Sequence, residues 1–142
     1  MKTRLCSGAI PIRLKRGKLQ VLIVKSSSGK CWTFPKGGVE AGLSFQDNAL
    51  KEVAEESGAL GKICGYAGIF TDNKNKITQI IHIFYMQVFA SLSKYNESEI
   101  RKRKWILLED AVQLFKGSPY EQFLTDLYLN KGKAGYFLPT ET

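Results

Sequence analysis

Residues 34–60 read FPKGGVEAGLSFQDNALKEVAEESGAL, a glycine-rich turn followed by a run with helical periodicity. Ser44 with Asp47 three residues later is a capping-box-like helix start. Gly58 is placed to end the helix in a left-handed conformation. We therefore predict a helix from about 45 to 57. The apolar residues that recur along it at helical spacing are Phe45, Ala49 and Val53.

Three glutamates, Glu52, Glu55 and Glu56, crowd the last turn of this predicted helix. At spacings of three and four residues their side chains point into one sector, where like charges repel by a few tenths of a kcal/mol per pair. The negative end of the helix dipole disfavours them further. A divalent cation such as Mg²⁺ or Mn²⁺, which takes oxygen ligands, would reverse that balance. The cluster indicates a metal site, and the alternative is an ordinary solvated acidic face.

The turn before the helix, PKGGVEAG, has the residue types of a phosphate-binding loop. Gly37 and Gly38 let the backbone approach a ligand closely, and Lys36 supplies a point charge for phosphate. Pro35 and the two glycines are expected to exclude regular helix or strand here. Turn, helix and carboxylates together predict a site for a metal ion and a diphosphate.

The rest of the chain predicts an α/β fold with a mixed sheet covered by helices on both faces. Residues 5–14 and 19–25 read as a hairpin turning at Gly17, with Pro11 expected at an edge or a bulge. Further predicted strands are 62–70, 76–90 and 103–108, with a turn at 71–76. A short helix is predicted at 109–115, and Ser118-Pro119 opens a last one with a buried stripe of Phe123, Leu124, Leu127 and Tyr128.

At 142 residues, with 44% hydrophobic and 24% charged residues, the chain fits a single domain spanning 1–142. No apolar run approaches the roughly 18 to 20 residues that span a bilayer, and charges and Pro11 interrupt the start where a signal peptide needs an apolar block. We therefore expect a cytoplasmic protein without a membrane partner. The cysteines lack CxxC spacing and are expected to be reduced thiols; they are Cys6, Cys31 and Cys64.

The formal net charge of +8 predicts an anionic partner, which could be nucleic acid, a phosphorylated metabolite or a membrane surface. The alternative is a generic basic surface. Residues 101–104 read RKRK, and strand alternation would send Arg101 and Arg103 to one face. Together with other cations they could surround the metal site and bind substrate phosphates; these are Arg4, Lys25, Lys30 and Lys36. Aromatic residues able to stack on a base, most of them expected in the core, are Trp32, Phe34, Tyr66, Phe70 and Tyr85.

Residues 37–59 resemble the Nudix box, the signature of MutT-like hydrolases, which cleave a diphosphate linked to another group. The residues that match in register are Gly37, Glu52, Val53, Glu55, Glu56 and Gly58. The resemblance implies a Nudix-type α/β/α sandwich. It also implies Glu52 and Glu56 as ligands of Mg²⁺ or Mn²⁺, with the Gly37 carbonyl. Glu55 would be a further ligand or the base that activates water.

Two positions depart from the box. The family's first glutamate is Leu43 here and its arginine is Lys51. In the family these side chains commonly pair to brace the loop against the helix. Lysine lacks the bidentate fork of arginine, so we expect the brace to be lost while the metal ligands remain.

The segment GKICGYAGIFTDNKNK, 61–76, followed by a β run and then RKRKWILLEDAVQLF, 101–115, is similar to the diphosphoinositol polyphosphate and diadenosine polyphosphate branch of the family. WTFPKGG, 32–38, is similar to plant and bacterial relatives of that branch. This resemblance implies a pyrophosphohydrolase whose substrate is a polyphosphorylated small molecule. Two alternatives remain open: hydrolysis at the 5′ end of RNA, and a non-catalytic Nudix domain that senses a nucleotide or RNA. The protein would act as a monomer or a homodimer.

Overall fold

The structure, a computed structural model, describes residues 2–98 and 101–130, so both ends of the predicted 1–142 domain lie outside the described residues. The strands are β1 Lys2–Lys15, β2 Lys18–Lys25, β3 Trp32–Thr33, β4 Lys36–Gly38, β5 Ala59–Lys74, β6 Ile77–Ser91 and β7 Arg103–Leu107. The helices are α1 Phe45–Ser57, α2 Leu108–Leu114 and α3 Tyr120–Asn130. Within the described ranges, no helix is both long and apolar enough to cross a bilayer.

One mixed sheet joins all the described strands, in the order β3-β2-β1-β6-β5, with β4 paired to β1 and β7 to β2. The predicted hairpin is confirmed, since β1 and β2 pair antiparallel from Ile12↔Val21 to Lys15↔Lys18. Strand β1 runs parallel to β6, and β6 runs antiparallel to β5. The sheet is therefore mixed, as the sequence predicted.

Helices cover both faces of this sheet and bury two separate cores. On one face, Ala49 and Val53 of α1 pack with Leu22, Phe84 and Met86. On the other face, α2 and α3 pack against the strands through a larger cluster that includes Ile10, Ile23, Phe34, Ile83, Leu108, Phe115, Phe123 and Leu124. Apolar side chains on both sides of the central strands explain why these strands read as nearly continuous apolar runs. The predicted α/β/α sandwich is confirmed.

Helix α1 begins and ends where the sequence predicted. The Asp47 amide donates to the Ser44 side-chain oxygen at 3.0 Å, which satisfies one of the free donors of the first turn. Gly58 has φ 72°, and its amide donates to the Ala54 carbonyl at 3.0 Å. A side chain would be strained in that left-handed conformation. Both helix signals in the sequence are therefore confirmed.

Two expectations about strands are wrong. Lys36–Gly38 forms β4, which pairs with β1 from Cys6↔Gly38 to Gly8↔Lys36, although its glycines were expected to exclude a strand. Pro11 lies in the central strand β1 rather than at an edge. On the side of β1 away from β6, the partner changes from β4 at Gly8 to β2 at Ile12, so Pro11 lies where no ladder on that side needs its missing amide.

Two further details of the structure differ from the prediction. The β5–β6 turn is confined to Asn75 and Lys76, with φ values of 54° and 63°, because β5 continues through Lys74 instead of ending at residue 70. Residues in the left-handed region allow this tight hairpin to follow the twist of its strands. On α3, Tyr128 is 39% exposed, whereas Phe123, Leu124 and Leu127 are buried as predicted.

Replacing Gly58 by alanine should destabilise the protein by about 2–4 kcal/mol, because strain at φ 72° adds to overlap of the new Cβ with neighbouring atoms. The Cβ would lie 2.6 Å from a Tyr95 ring carbon and 2.9 Å from an Arg103 nitrogen. Gly117→Ala is the matched control, since Gly117 has φ 82° with no atom within 4 Å of the new Cβ, and it should cost about 1–2 kcal/mol. Urea unfolding measures both, and equal losses would contradict the steric contribution.

Native protein should show one fast-reacting thiol with Ellman's reagent at pH 8. The described cysteines are all free, as predicted, but only Cys31 is exposed. Burial raises the pKa of Cys6, and burial raises that of half-buried Cys64 to about 12, which keeps both as unreactive thiols. Cys31→Ser should abolish the fast phase, and denaturant should restore reaction of the other two. A fast phase that survives in Cys31→Ser would contradict this assignment.

Candidate active site

Helix α1 brings Glu52 and Glu56 together on one face, one turn apart and beside the glycine-rich strand β4. Glu56 is buried, with 3% of its surface exposed, and the Glu52 side chain is 15% exposed. A Cβ on Gly37 would overlap the Glu52 carboxylate. Glycine at position 37 is therefore what allows the backbone of β4 to lie directly against Glu52.

The environment of Glu56 disfavours its charged form. Burial raises the pKa of Glu56 to about 8, Arg101 opposes the rise, and the hydrogen bond and charge of the adjacent Glu52 add to it. A second carboxyl group in the same poorly hydrated place makes the charged form of Glu56 less favourable. The predicted repulsion between these glutamates is therefore a property of the folded protein.

Lys51 holds the carboxylates that lie on its side of the helix, contrary to the expectation that the brace was lost. Its Nζ lies 2.6 Å from Glu55 Oε1 and 3.1 Å from Glu52 Oε2. It also lies 3.1 Å from Oε1 of Glu40, in the loop between β4 and α1. The acid absent at Leu43 is thus supplied three residues earlier in the chain, and the loop remains tied to the helix.

A buried polar pair, Asn48 and Ser7, forms a second tie between loop and helix that sequence reasoning missed. Asn48 donates to the Ser7 hydroxyl at 3.0 Å and to the Gly37 carbonyl at 3.4 Å, and accepts from the Glu40 amide at 3.1 Å. Ser7 donates to the Phe45 carbonyl at 2.8 Å. The sequence signal for this tie was Asn48 itself, which lies next to the apolar stripe of the predicted helix. A buried side-chain amide at such a position needs hydrogen-bond partners.

The C-terminal end of α1 is covered by a capping segment, which we define as residues 92–98 and 101–103. Its backbone satisfies helix carbonyls: the Glu97 amide donates to the Glu55 carbonyl at 3.1 Å, and the Leu92 amide to that of Gly58 at 2.8 Å. Arg103 donates to the Ser57 carbonyl at 2.5 Å. A cation at this end of a helix is favoured by the dipole, so the segment offsets the cost of the acidic last turn.

Arg101 belongs to the same segment and connects it to the carboxylates. Its side chain donates to Glu97 at 2.5 Å and to the Lys25 carbonyl at 2.9 Å, and it lies 3.5 Å from Glu56 Oε1. The Tyr95 hydroxyl donates to the Arg101 carbonyl at 3.3 Å. Arg101 is therefore held from several sides, rather than being a freely moving surface cation.

A cavity of about 750 Å³ opens beside Glu52 and Glu56. Of the predicted substrate-binding residues, it is lined by Arg4, Lys36, Gly37 and Arg101. Within the described ranges, Arg4 and Lys36 form no salt bridge. Burial lowers the pKa of Lys36, and the nearby carboxylates Glu56 and Asp72 oppose that effect. The cavity thus places Arg4 and Lys36, which have no acid paired to them in the described part of the chain, next to two clustered carboxyl groups.

The other predicted phosphate-binding residues do not line this cavity. Lys25 places its Nζ 4.6 Å from the centre of the Trp32 ring, and Lys30 lies in the exposed loop between β2 and β3. Arg103 is used in capping α1 and packs 4.7 Å from the Tyr95 ring centre. Gly38 contributes through close packing, since a Cβ there would overlap the guanidinium of Arg4. Much of the predicted basic surface therefore serves the fold.

The carboxyl groups fit a divalent cation held by two side chains. Glu52 and Glu56 converge, whereas Glu55 turns to Lys51, and within residues 2–98 and 101–130 no three acidic, thiol or imidazole groups converge as a ligand cluster. Mg²⁺ is commonly bound through one or two carboxylates, with waters and substrate phosphates completing its shell. The Gly37 carbonyl, one of the predicted ligands, already accepts the long Asn48 contact.

Comparisons with known proteins agree with this architecture. Residues 2–127 match the family described as NUDIX domain. The chain is 32% identical over 130 residues to Nudix hydrolase 21, chloroplastic, of Arabidopsis thaliana, covering 87% of this chain and 65% of that protein. It is 32% identical over 100 residues to Diphosphoinositol polyphosphate phosphohydrolase 3-alpha of Mus musculus, covering 68% of this chain and 60% of that protein. It thus spans less than two thirds of either relative.

Solved structures show the same fold. The binary complex of the C. elegans Ap4A hydrolase superposes with a TM-score of 0.70 at 21% identity, covering 89% of this chain and 96% of the other. At that identity the likeness establishes the fold alone. Taken with the family match over residues 2–127, it leads to one conclusion: the chain belongs to the Nudix domain family.

Proposed function

We propose that this protein is a pyrophosphohydrolase that requires Mg²⁺ or Mn²⁺ and cleaves a diphosphate linkage in a polyphosphorylated small molecule. The substrate would be a dinucleoside polyphosphate or a diphosphoinositol polyphosphate. The observation that carries the proposal is the pairing of Glu52 and Glu56 beside Gly37, in a cavity where Arg4 and Lys36 form no salt bridge with any acid among the described residues. Clustered carboxylates favour a cation, and unpaired cations favour phosphate.

Each group would have a distinct task in the reaction. Glu52 and Glu56, with the Gly37 carbonyl, would hold the divalent cation, which when bound lowers the pKa of water and neutralises phosphate charge. Arg4 and Lys36, which line the cavity, would bind and orient the phosphate chain. Glu55 would accept the proton of the attacking water, with Lys51 fixing the position of its carboxylate.

The relatives and the tie between loop and helix both favour an enzyme over a non-catalytic sensor. The mouse relative is named as a diphosphoinositol polyphosphate phosphohydrolase, and the superposed C. elegans protein as an Ap4A hydrolase. The departures from the box at Leu43 and Lys51 are the features of the sequence that favour a sensor, but Lys51 still ties the loop to the helix through Glu40. The cytoplasmic location and the monomeric or homodimeric state stay predictions.

Purified protein with Mg²⁺ should hydrolyse diadenosine hexaphosphate or diphosphoinositol pentakisphosphate, and EDTA should abolish the activity until Mg²⁺ or Mn²⁺ is restored. Product separation by ion-exchange chromatography measures the reaction. Triphosphorylated RNA is included as a competitor. If the RNA 5′ end is the true substrate, this RNA should strongly inhibit hydrolysis of the small molecules. No turnover of either small molecule at high enzyme concentration would overturn the proposal, and tight binding without turnover would favour the sensor.

Glu56→Gln should lower kcat by about 10²-fold or more, because the variant loses a charged ligand of the cation. Equilibrium binding of Mn²⁺, followed by electron paramagnetic resonance, should weaken in parallel. Glu109→Gln is the matched control, since Glu109 is an exposed residue of α2, and it should behave as wild type in both assays. Wild-type Mn²⁺ affinity in Glu56→Gln would contradict the ligand assignment.

Arg101→Gln should lower kcat at least about tenfold and reduce stability by about 1–3 kcal/mol, because it leaves Glu56 and Glu97 without their charged partner. Lys102→Gln removes the same charge from an exposed neighbour and should stay within about 0.5 kcal/mol of wild type.

The double variant Glu97→Gln/Arg101→Gln tests whether Arg101 positions Glu56 or binds substrate phosphate. If the effect of Arg101 depends on Glu97 holding it in position, Glu97→Gln alone should reproduce part of the kcat loss. The kcat losses of the two single variants should then not add in the double variant. A pure rise in KM for Arg101→Gln, with Glu97→Gln indistinguishable from wild type, would show instead that Arg101 only binds substrate.

A further inference from the structure

The turn between β1 and β2 carries three cations in an arrangement that local physics disfavours. Residues 15–18 read KRGK, and Lys15 and Lys18 stand directly opposite each other in the ladder. Like charges at such a cross-strand position destabilise a hairpin. Arg16 lies between them with φ 52°, in the left-handed region, where a two-residue turn prefers asparagine or aspartate before glycine. A partner with negative charge would relieve the repulsion in this turn.

The neighbouring strand ends add a cation and no acid. Strand β6 ends and β5 begins at the same end of the sheet as this turn, because β1 is parallel to β6 and β6 is antiparallel to β5. Lys62, near the start of β5, is exposed there. The segments that form this end of the sheet contain no aspartate or glutamate; they are residues 11–19, 59–63 and 87–92.

Large apolar side chains are exposed at the same end of the sheet. Phe89, near the end of β6, is 56% exposed, Leu92 is 44% exposed and Leu60 is 41% exposed. The Lys62 ammonium lies 6.0 Å from the centre of the Phe89 ring, so a cation lies beside the apolar surface. Exposed apolar side chains that occur together mark interaction sites, whereas single ones do not. We call this surface the hairpin end; its residues are Lys15, Arg16, Lys18, Lys62, Leu60, Phe89 and Leu92.

Acids from another element lie only at the rim of the hairpin end. Helix α2 begins beside the start of β2, since Leu107 pairs with Gln20, and its first turn carries Glu109 and Asp110. That helix packs on the face of the sheet opposite to α1. Within residues 2–98 and 101–130, none of the four cations of the hairpin end forms a salt bridge. Their charge therefore remains available to a partner.

Cations together with exposed apolar side chains fit the surface of an anionic bilayer. Acidic headgroups attract lysine and arginine, and leucine and phenylalanine side chains can enter the boundary between headgroups and acyl chains. Single-stranded nucleic acid would use the cations and stack on Phe89, but it would leave Leu60 and Leu92 without a role. A second copy of the chain would present the same positive charge and be repelled.

We propose that the hairpin end docks on phospholipid bilayers that contain acidic lipid. The proposal goes beyond the proposed hydrolysis and does not depend on it. Arg4, which lines the cavity, and Lys15 lie near opposite ends of β1, whose 14 residues span about 45 Å. A docked protein would therefore keep its cavity open to solution. The expectation of no membrane partner rested on the absence of a spanning segment, which a surface contact does not need.

Co-sedimentation of the whole protein with sucrose-loaded vesicles tests the proposal. Vesicles of phosphatidylcholine with about one third phosphatidylserine are compared with vesicles of phosphatidylcholine alone, in about 0.1 M salt. Wild type should bind the mixed vesicles at least about tenfold more tightly, and about 0.5 M salt should release most of the bound protein. Failure of wild type to bind the mixed vesicles would overturn the proposal.

The triple variant Lys15→Gln/Arg16→Asn/Lys18→Gln should weaken binding to the mixed vesicles at least about tenfold. Its Tm should equal or exceed that of wild type, because the like-charge pair is gone and the turn has a preferred residue. A loss of binding would then not come from a loss of the fold. The matched control removes the same charge from exposed lysines elsewhere and should weaken binding by no more than about threefold; it is Lys2→Gln/Lys76→Gln/Lys116→Gln.

Phe89→Gln keeps the charge of the hairpin end and removes an apolar side chain. It should weaken vesicle binding about fivefold or more. Equal weakening by the two triple variants would show attraction by net charge alone and would overturn the site. Vesicle binding as tight as wild type in Phe89→Gln would overturn the bilayer contact. Binding of a fluorescent single-stranded RNA that needs Lys15, Arg16 and Lys18, without vesicle binding, would assign the surface to nucleic acid instead.

Discussion

The acidic C-terminal end of α1 depends on the charges and amides that the capping segment places over it. Glu52, Glu55 and Glu56 crowd a helix end whose dipole already disfavours anions. Arg103 and the Leu92 and Glu97 amides satisfy the free carbonyls there. The capping segment runs from β6 to β7, so the position of the carboxylates depends on two strands far from them in the sequence.

The glycines of β4 are the second constraint on the site. A side chain at Gly37 would push Glu52 away, and one at Gly38 would displace Arg4. The Glu52 carboxylate and the Arg4 guanidinium can approach β4 from different sides only because Gly37 and Gly38 have no side chains. Asn48 and Lys51 then hold the following loop against α1. Close approach and two polar ties together put basic and acidic side chains within one cavity.

The positively charged side chains of the protein therefore have several different roles. Arg101 and Arg103 neutralise the helix end and its carboxylates, and the Lys25 ammonium rests on Trp32. Arg4 and Lys36 line the cavity and, within the described ranges, form no salt bridge. This division accounts for a cavity with balanced charge in a protein with a net charge of +8. A basic sequence by itself does not predict a basic cavity, because arginine is also the best partner for buried carbonyls and carboxylates.

The amino-acid sequence alone determined α1, its two caps, most strand positions and the clustering of the three glutamates, because these features depend on spacing over a few residues. It also placed Arg4, Lys36 and Gly37 at the site. The tertiary structure decided which charges meet. Glu40 replaces the missing acid at Leu43 because the β4–α1 loop folds back over Lys51, and β5 brings Asp72 to a cavity whose other wall comes from α3. Such contacts join residues separated by many positions, and local spacing carries no signal of them.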